Sequence, residues 1–202
     1  MKKRLLSVAF VCLGFIGMAQ VQQLGTPLSW KEKVGIPKEA IKMTAVDNAT
    51  EAENEANRRA NSFEKDYRYG KEFVVDINFM TQAEVTVLPN GNVLRQLKIS
   101  SPGALSINLA FDKFELSKNA ILYLTDENKT EYIGAHTSLN NNPNKAFGTE
   151  LIHSDAVIIE LLEPANEAGT SILNIGSVVH GYLDLEEEIK ALGGSGSCEY
   201  DV

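Results

Sequence analysis

The sequence predicts a mainly β protein, an antiparallel β-sandwich with one amphipathic helix before it and an extended leader arm before that. Three observations predict it. After Tyr69-Gly70 the apolar residues change from helical spacing to alternation, the alternating runs are short and follow one another roughly every ten residues, and Pro, Gly, Asn and Ser cluster between them. Short strands so spaced indicate a β-sandwich or a barrel, of which the sandwich is preferred. With 202 residues, 44% of them hydrophobic, the chain can build one core.

The first residues, Met1-Lys2-Lys3-Arg4, are basic, and an apolar run over 5–18 ends at Ala19-Gln20. This pattern predicts a secretory signal (1–19) cut at Ala19, and hence a secreted or periplasmic product. The run is too short to span a bilayer comfortably, so no membrane association is expected after cleavage. Cys12 reads as an ordinary member of that run, because Val11 before it is bulkier than a lipoprotein site wants. Without the signal, Cys198 is the lone cysteine in an oxidising compartment, which implies a partner elsewhere or a missing part of the chain.

Gly25, Pro27, Gly35 and Pro37 punctuate residues 20–47 and no hydrophobic period lasts there, so this stretch reads as an arm. Trp30, Val34, Ile36 and Ile41 give it residues to lay against a sheet. Asn48-Ala49-Thr50-Glu51 has the form of a helix start, a capping residue with a carboxylate three positions on. Ala52, Ala56, Ala60, Phe63 and Tyr67 then recur at spacings of four and three, predicting a helix over 50–66 that lies flat on its alanine stripe. Leader and helix together occupy 20–69.

Strands are predicted over 73–79, 84–88, 93–100, 106–111, 120–125, 131–136, 156–162 and 172–180. Pro89-Asn90-Gly91 predicts a hairpin, since Asn-Gly accepts the positive φ of a tight turn, and Ser101-Pro102-Gly103 turns the chain again. The asparagine-rich stretch 137–148 reads as a surface connection; it lacks the clustered acidic oxygens of a calcium site. The sandwich is expected over 70–183, followed by a charged run (184–190) and a flexible Gly-Ser joint (193–196).

The formal net charge of −8 argues against nucleic acid or an anionic membrane as the main partner. His136, His153 and His180 each fall near a predicted strand end without a supporting motif, and the sequence offers no phosphate loop, cysteine cluster or nucleophile elbow. Ser195 sits in the flexible joint, where nothing fixes a base beside it. Glu186, Glu187 and Glu188 read as a solvated face rather than a chelator. Asn48-Ala49-Thr50 and Asn128-Lys129-Thr130 match the glycosylation sequon. No catalytic residue, metal ligand or cofactor is assigned.

The phrases "GALSINLAFDKFELSKNAILYL", "DAVIIELLEPA" and "IGSVVHGY" stand in order along the chain, with "LGTPLSW", "YRYG" and "NGNVLRQLKISSPGA" before or among them and "GGSGSCEYDV" last. Together they resemble the amino-terminal prodomain of bacterial lysyl endopeptidase-type, trypsin-like serine proteases, with the tail similar to the start of the mature enzyme. The resemblance implies a segment without catalytic residues that acts as intramolecular chaperone and latency domain for a trypsin-like protease domain downstream in cis. On that reading Cys198 bonds to a cysteine further along, residues 184–202 join linker to protease, and processing falls near Lys190. Two positions depart from the pattern. Leu94 stands where an aromatic is expected, and Lys190 lies three residues before Gly193, so cleavage there leaves Ala191-Leu192 on the protease; processing by another enzyme fits equally. A secreted binding or adhesion module presenting the 137–148 loop is the alternative function. An enzyme built on His180 ranks third.

Overall fold

Strand β9 (Ala156–Glu163, AVIIELLE) is apolar at nearly every position, the pattern of a strand covered on both faces. In the computed structural model, which describes residues 25–31, 34–61, 63 and 66–185, it lies at the centre of a sheet. β4 (Val93–Ser100) and β6 (Ile121–Thr125) flank it, and both pair with it antiparallel. β7 (Tyr132–His136) continues the sheet beyond β6. On the other side, β1 (Ala40–Lys42) and β3 (Glu84–Val87) share the free edge of β4. A second sheet has the order β2 (Gly70–Asn78), β10 (Ile172–Gly181), β5 (Ser106–Glu115), β8 (Phe147–Gly148).

The interior is the meeting of one face from each sheet. Leu97, Ile99, Leu122, Leu124, Val157, Ile159 and Leu161 come from the first sheet and Ile77, Ile107, Leu109, Phe111, Phe114, Leu173, Ile175 and Val178 from the second. Each such side chain contributes about 1.5–3 kcal/mol over leaving it in water. Phe111 packs edge-on against Phe114 at 5.5 Å, and Phe147 stacks on Phe114 at 4.4 Å, which fixes β8 to the sheet. The mainly β, two-sheet sandwich is therefore the fold expected from the sequence; each predicted strand has a counterpart, while β1 and β8 form where an arm and a surface connection were expected.

The differences lie at the ends and in the leader. The leader is not irregular throughout: it contributes a helical turn, α1 (Leu28–Lys31), and β1, which runs parallel to β4, the exception to antiparallel pairing in this chain's described sheets. β2 stops at Asn78 because that side chain accepts from Thr81 N (3.2 Å) and caps a second helical turn, α3 (Phe79–Gln82), which drives Phe79 into the core; α2 (Asn48–Asn61) is the longer helix between them. The hairpin between β3 and β4 is wider than a two-residue Asn-Gly turn: Leu88 N reaches Asn92 O (2.8 Å), Gly91 N reaches Leu88 O (2.9 Å), and Gly91 alone takes positive φ (+83°). Leu94, the predicted departure, is fully buried on the outward side of the first sheet.

Helix α2 (Asn48–Asn61) is shorter than expected and turned about its axis. Ala56, Ala60 and Phe63 face solvent, while Glu51, Ala52, Glu55, Arg58 and Arg59 are covered. An alanine methyl buries too little surface to choose the face, so ion pairs decide it. The cap also moves by one residue: Asp47 accepts from Thr50 N (3.2 Å) and Thr50 Oγ1 (2.9 Å), bonds that hold its carboxyl below the usual range. That releases Asn48 for long-range contacts.

Candidate functional site

The sequence places Ala19, Lys190, Ser195 and Cys198 outside the described residues, so the site is built from the groups where the sandwich ends and α2 lies across it. β10 finishes at Gly181, where a Cβ would come within 2.2 Å of Ser106 Oγ; only glycine lets the two strands approach so closely. The chain then stays pinned. Tyr182 N and Leu183 N both donate to Tyr69 O (2.9 and 3.2 Å), and Tyr182 Oη donates to Arg68 O (2.8 Å). Its exit is thereby fixed beside the first residues of β2.

At this exit α2 and the start of β2 enclose a polar cleft of about 260 Å³. Its charges are paired. Arg58 holds Glu55 through two nitrogens (2.8 and 2.9 Å), Arg68 N adds a third bond to Glu55 (3.2 Å), and Lys71 Nζ reaches Glu51 at 2.6 Å. The bond from Arg58, opposed by burial, holds the Glu55 carboxyl below its ordinary value, and Glu55 pushes the guanidinium up in turn. Arg58 also bonds Asp66 (3.0 Å to Oδ1), and Arg59 lies over the Tyr67 ring at 4.8 Å. The cleft can present both signs of charge to a neighbouring polar surface.

Below the cleft, His180 is enclosed with Ser101, each at 0% exposure. Ser101 Oγ lies 2.7 Å from Nδ1, and Nε2 lies 2.8 Å from Asn48 Oδ1. Asn48 Nδ2 donates to Gly103 O (2.7 Å), which leaves Oδ1 as the acceptor and so places the ring proton on Nε2. Ser101 then donates to Nδ1 of a neutral imidazole. Burial, helped by Lys71 and opposed by Glu51, lowers the His180 pKa and agrees with that state. The row serine, histidine, asparagine has the partners of a nucleophile and base, yet both working atoms are shielded from solvent. Its visible effect is to bolt α2, the turn after β4 and β10 together. Nothing in the spacing of 48, 101 and 180 announced this bolt; the two amide atoms of the Asn48 sequon are both spent on it.

The other two histidines do not join it. His136 packs edge-on to Phe147 at 4.8 Å, and His153 pairs with Glu131 at 3.0 Å on the surface. The 137–148 stretch spends its amides on backbone, its own and that of Leu116 just after β5. Asn141 both accepts from Leu116 N and donates to Leu116 O (2.8 Å each), Asn142 donates to Ala146 O, and Asn140 accepts from Thr137 N. Its asparagines are thus largely committed before any ligand arrives. Among the described residues no group of three or more His, Cys, Asp or Glu could hold a metal ion.

Compared with known proteins, the chain matches no family profile and no curated protein.

Proposed function

We propose that this chain is the prodomain of a secreted trypsin-like serine endopeptidase, a chaperone and latency segment acting on a protease domain downstream in cis. The observation that carries it is the fixed exit at Tyr182 and Leu183, which releases the chain beside two features able to receive a partner. One is the ionic cleft under α2. The other is β2, which pairs on one side with β10 and on the other with no strand among the described residues. An edge with unpaired N–H and C=O groups accepts a strand from a neighbour.

The resemblance of the ordered sequence phrases supports the same reading. A domain tethered through residues 184–196 is kept at a high effective concentration, in the millimolar range for short linkers. Trypsin-like barrels are dominated by non-local pairings and fold slowly, so a prefolded surface that captures one strand lowers the barrier. Lys190, in that tether, offers a substrate-like side chain to a lysine-specific active site, and Cys198 a cysteine for the mature domain.

The test begins by reading the encoding frame past Val202. A continuing frame with Ser, His and Asp of a protease domain is expected, and that domain should refold to a higher active yield when residues 20–192 are supplied in trans. Equal yields with and without them would sink the chaperone part, and a frame carrying an unrelated domain would sink the whole reading.

A further inference from the structure

Glu160 stands in the middle of the outward face of the first sheet, in register with Gln96 on β4 and Tyr123 on β6, and is only 1% exposed. Its neighbours along this face, Leu94 and Ile158, are fully buried and apolar. A cover that merely excluded water would be served as well by an apolar residue at 160, since a buried carboxylate is costly unless donors surround it. Glu160 has such donors. Gln96 Nε2 supplies one at 3.2 Å, and the others are main-chain amides of the leader: Leu28 N at 2.5 Å from Oε1, and Ser29 N at 3.4 Å from Oε1 and 3.3 Å from Oε2.

The carbonyl of the same residue, Ser29, is held as well. Lys129 Nζ donates to Ser29 O at 2.6 Å. Carboxylate and ammonium, 100 and more residues away in sequence, therefore grip the N–H and C=O groups of the leader and not its side chains. The side chains enter two further places. Ser29 is completely buried, and the Trp30 ring meets Tyr132 edge-on at 5.1 Å, with Tyr123 next to Tyr132 at 6.0 Å. Among the described residues Ser29 Oγ and Trp30 Nε1 are buried with no hydrogen-bond partner, so the gripped segment does not satisfy all its polar atoms there.

We propose that this face is a peptide-recognition site, occupied in cis by residues 26–31, which takes in trans a short peptide with two successive main-chain amides, a small side chain and then an aromatic one. A small apolar residue in the Ser29 place should suit it better than serine, because the hydroxyl is buried there without a partner among the described residues. The site is separate from the exit and the cleft, and the proposal stands whether or not the chain is a prodomain.

The test keeps the full chain. Glu32-Lys33 is replaced by a recognition sequence for a specific protease, the folded protein is nicked there, and near-ultraviolet circular dichroism reports that the sandwich persists. A fluorescent peptide of residues 25–31 is then titrated and its anisotropy followed. Saturable binding is expected, with about tenfold weaker binding when Leu28 is replaced by proline in the peptide, which removes one gripped N–H, or when the protein carries Glu160→Gln. The Ser29→Ala peptide should bind more tightly than the parent. A nicked, folded protein that takes up no peptide overturns the proposal, as does equal binding of the proline peptide. Unfolding on nicking also overturns it, because the leader would then be part of the core rather than a ligand.

Discussion

The outward faces of the two sheets are opposites. On the first, Leu94 and Ile158 are fully buried and Glu160 is gripped by the leader; on the second, Val74 is 85% exposed, Ile172 is half exposed, and Asp76 and Asp112 meet solvent with Asn174 Nδ2 bridging them at 2.9 Å each. One sheet is buried on both faces and the other on one. The difference is written into the strands, since β9 is apolar almost throughout whereas β2 (GKEFVVDIN) mixes charge with apolar residues. It also teaches what a carboxylate does in each setting. Asp76 on the open face keeps water, and Glu160 on the covered face must be supplied with donors by the protein.

The largest predicted effect breaks that comparison at its centre. Glu160→Ala strands the amides of Leu28 and Ser29 and opens space on the covered face, for a loss of about 3 kcal/mol. Asp76→Ala on the open face should stay within about 0.5 kcal/mol. Urea unfolding of both variants measures the contrast, and trypsin cleavage after Lys31 should accelerate in the first variant alone. Similar losses at 160 and 76 would mean that the leader does not seal the first sheet.

Next in size is Asp126→Ala, expected to cost about 2–3 kcal/mol. Asp126 lies buried in the turn between β6 and β7 and accepts from Thr130 N (2.8 Å), Thr130 Oγ1 (2.7 Å), Glu131 N (2.9 Å) and Asn128 N (3.2 Å). Burial alone would raise its pKa, but these donors together outweigh it and the carboxyl titrates below the usual range. Asn48→Ala follows at about 1–2 kcal/mol, the loss of its bonds to His180 and Gly103. Differential scanning calorimetry orders the two, and an Asn48 variant as stable as the parent would show that the bolt holds nothing.

The strands were legible because alternation is local: a two-residue period is visible in any window of six, and β4 begins and ends at the residues its pattern indicated. The helix face was not, because Ala52, Ala56 and Ala60 carry the period while Glu51, Glu55 and Arg58 carry the contacts, and the groups these meet lie beyond the helix: Lys71 for Glu51, Arg68 N for Glu55 and Asp66 for Arg58. The covered face was legible only by half. "AVIIELLE" announces two buried sides, but the main-chain donors for its central acid, Glu160, come from residues 28 and 29, more than 130 positions earlier. The acids also explain why net charge predicts so little here: Asp47, Glu55, Asp126, Glu160 and Glu163 cap, pin or clamp backbone instead of repelling one another in solvent. Glu163, for instance, takes Gly169 N and Ser171 N and pairs with Arg95.

Acid should weaken the fold by a route independent of those carboxylates. Burial lowers the pKa of His180 and of His136 below the ordinary 6.5, Glu150 opposing it at His136. At pH values just under 6.5 the unfolded chain binds protons at these rings and the folded chain does not. The stability they contribute is complete above pH 6.5 and falls as the pH drops from there through the depressed folded values. The urea midpoint should therefore be lower at pH 5.5 than at pH 7.5, and His180→Gln should narrow that gap. A gap unchanged in the variant would place the titration elsewhere.

The smallest effect on stability is expected at Val74, and it sharpens the comparison most. Val74 points away from the core, in register with Ser177 of β10, on the strand whose other edge is unpaired among the described residues. Val74→Lys should change the unfolding free energy by less than about 0.5 kcal/mol, because the side chain is already in water and a charged residue suits an exposed edge. If the open face and the β2 edge receive a tethered protease domain, the same substitution should reduce assisted refolding of that domain severalfold, since lysine on an edge discourages strand addition. Refolding yield and urea midpoint, taken on one preparation, separate the two roles. A drop in yield at constant stability assigns the open face to a partner, and a yield as high as the parent's moves the partner away from β2 and toward the cleft under α2.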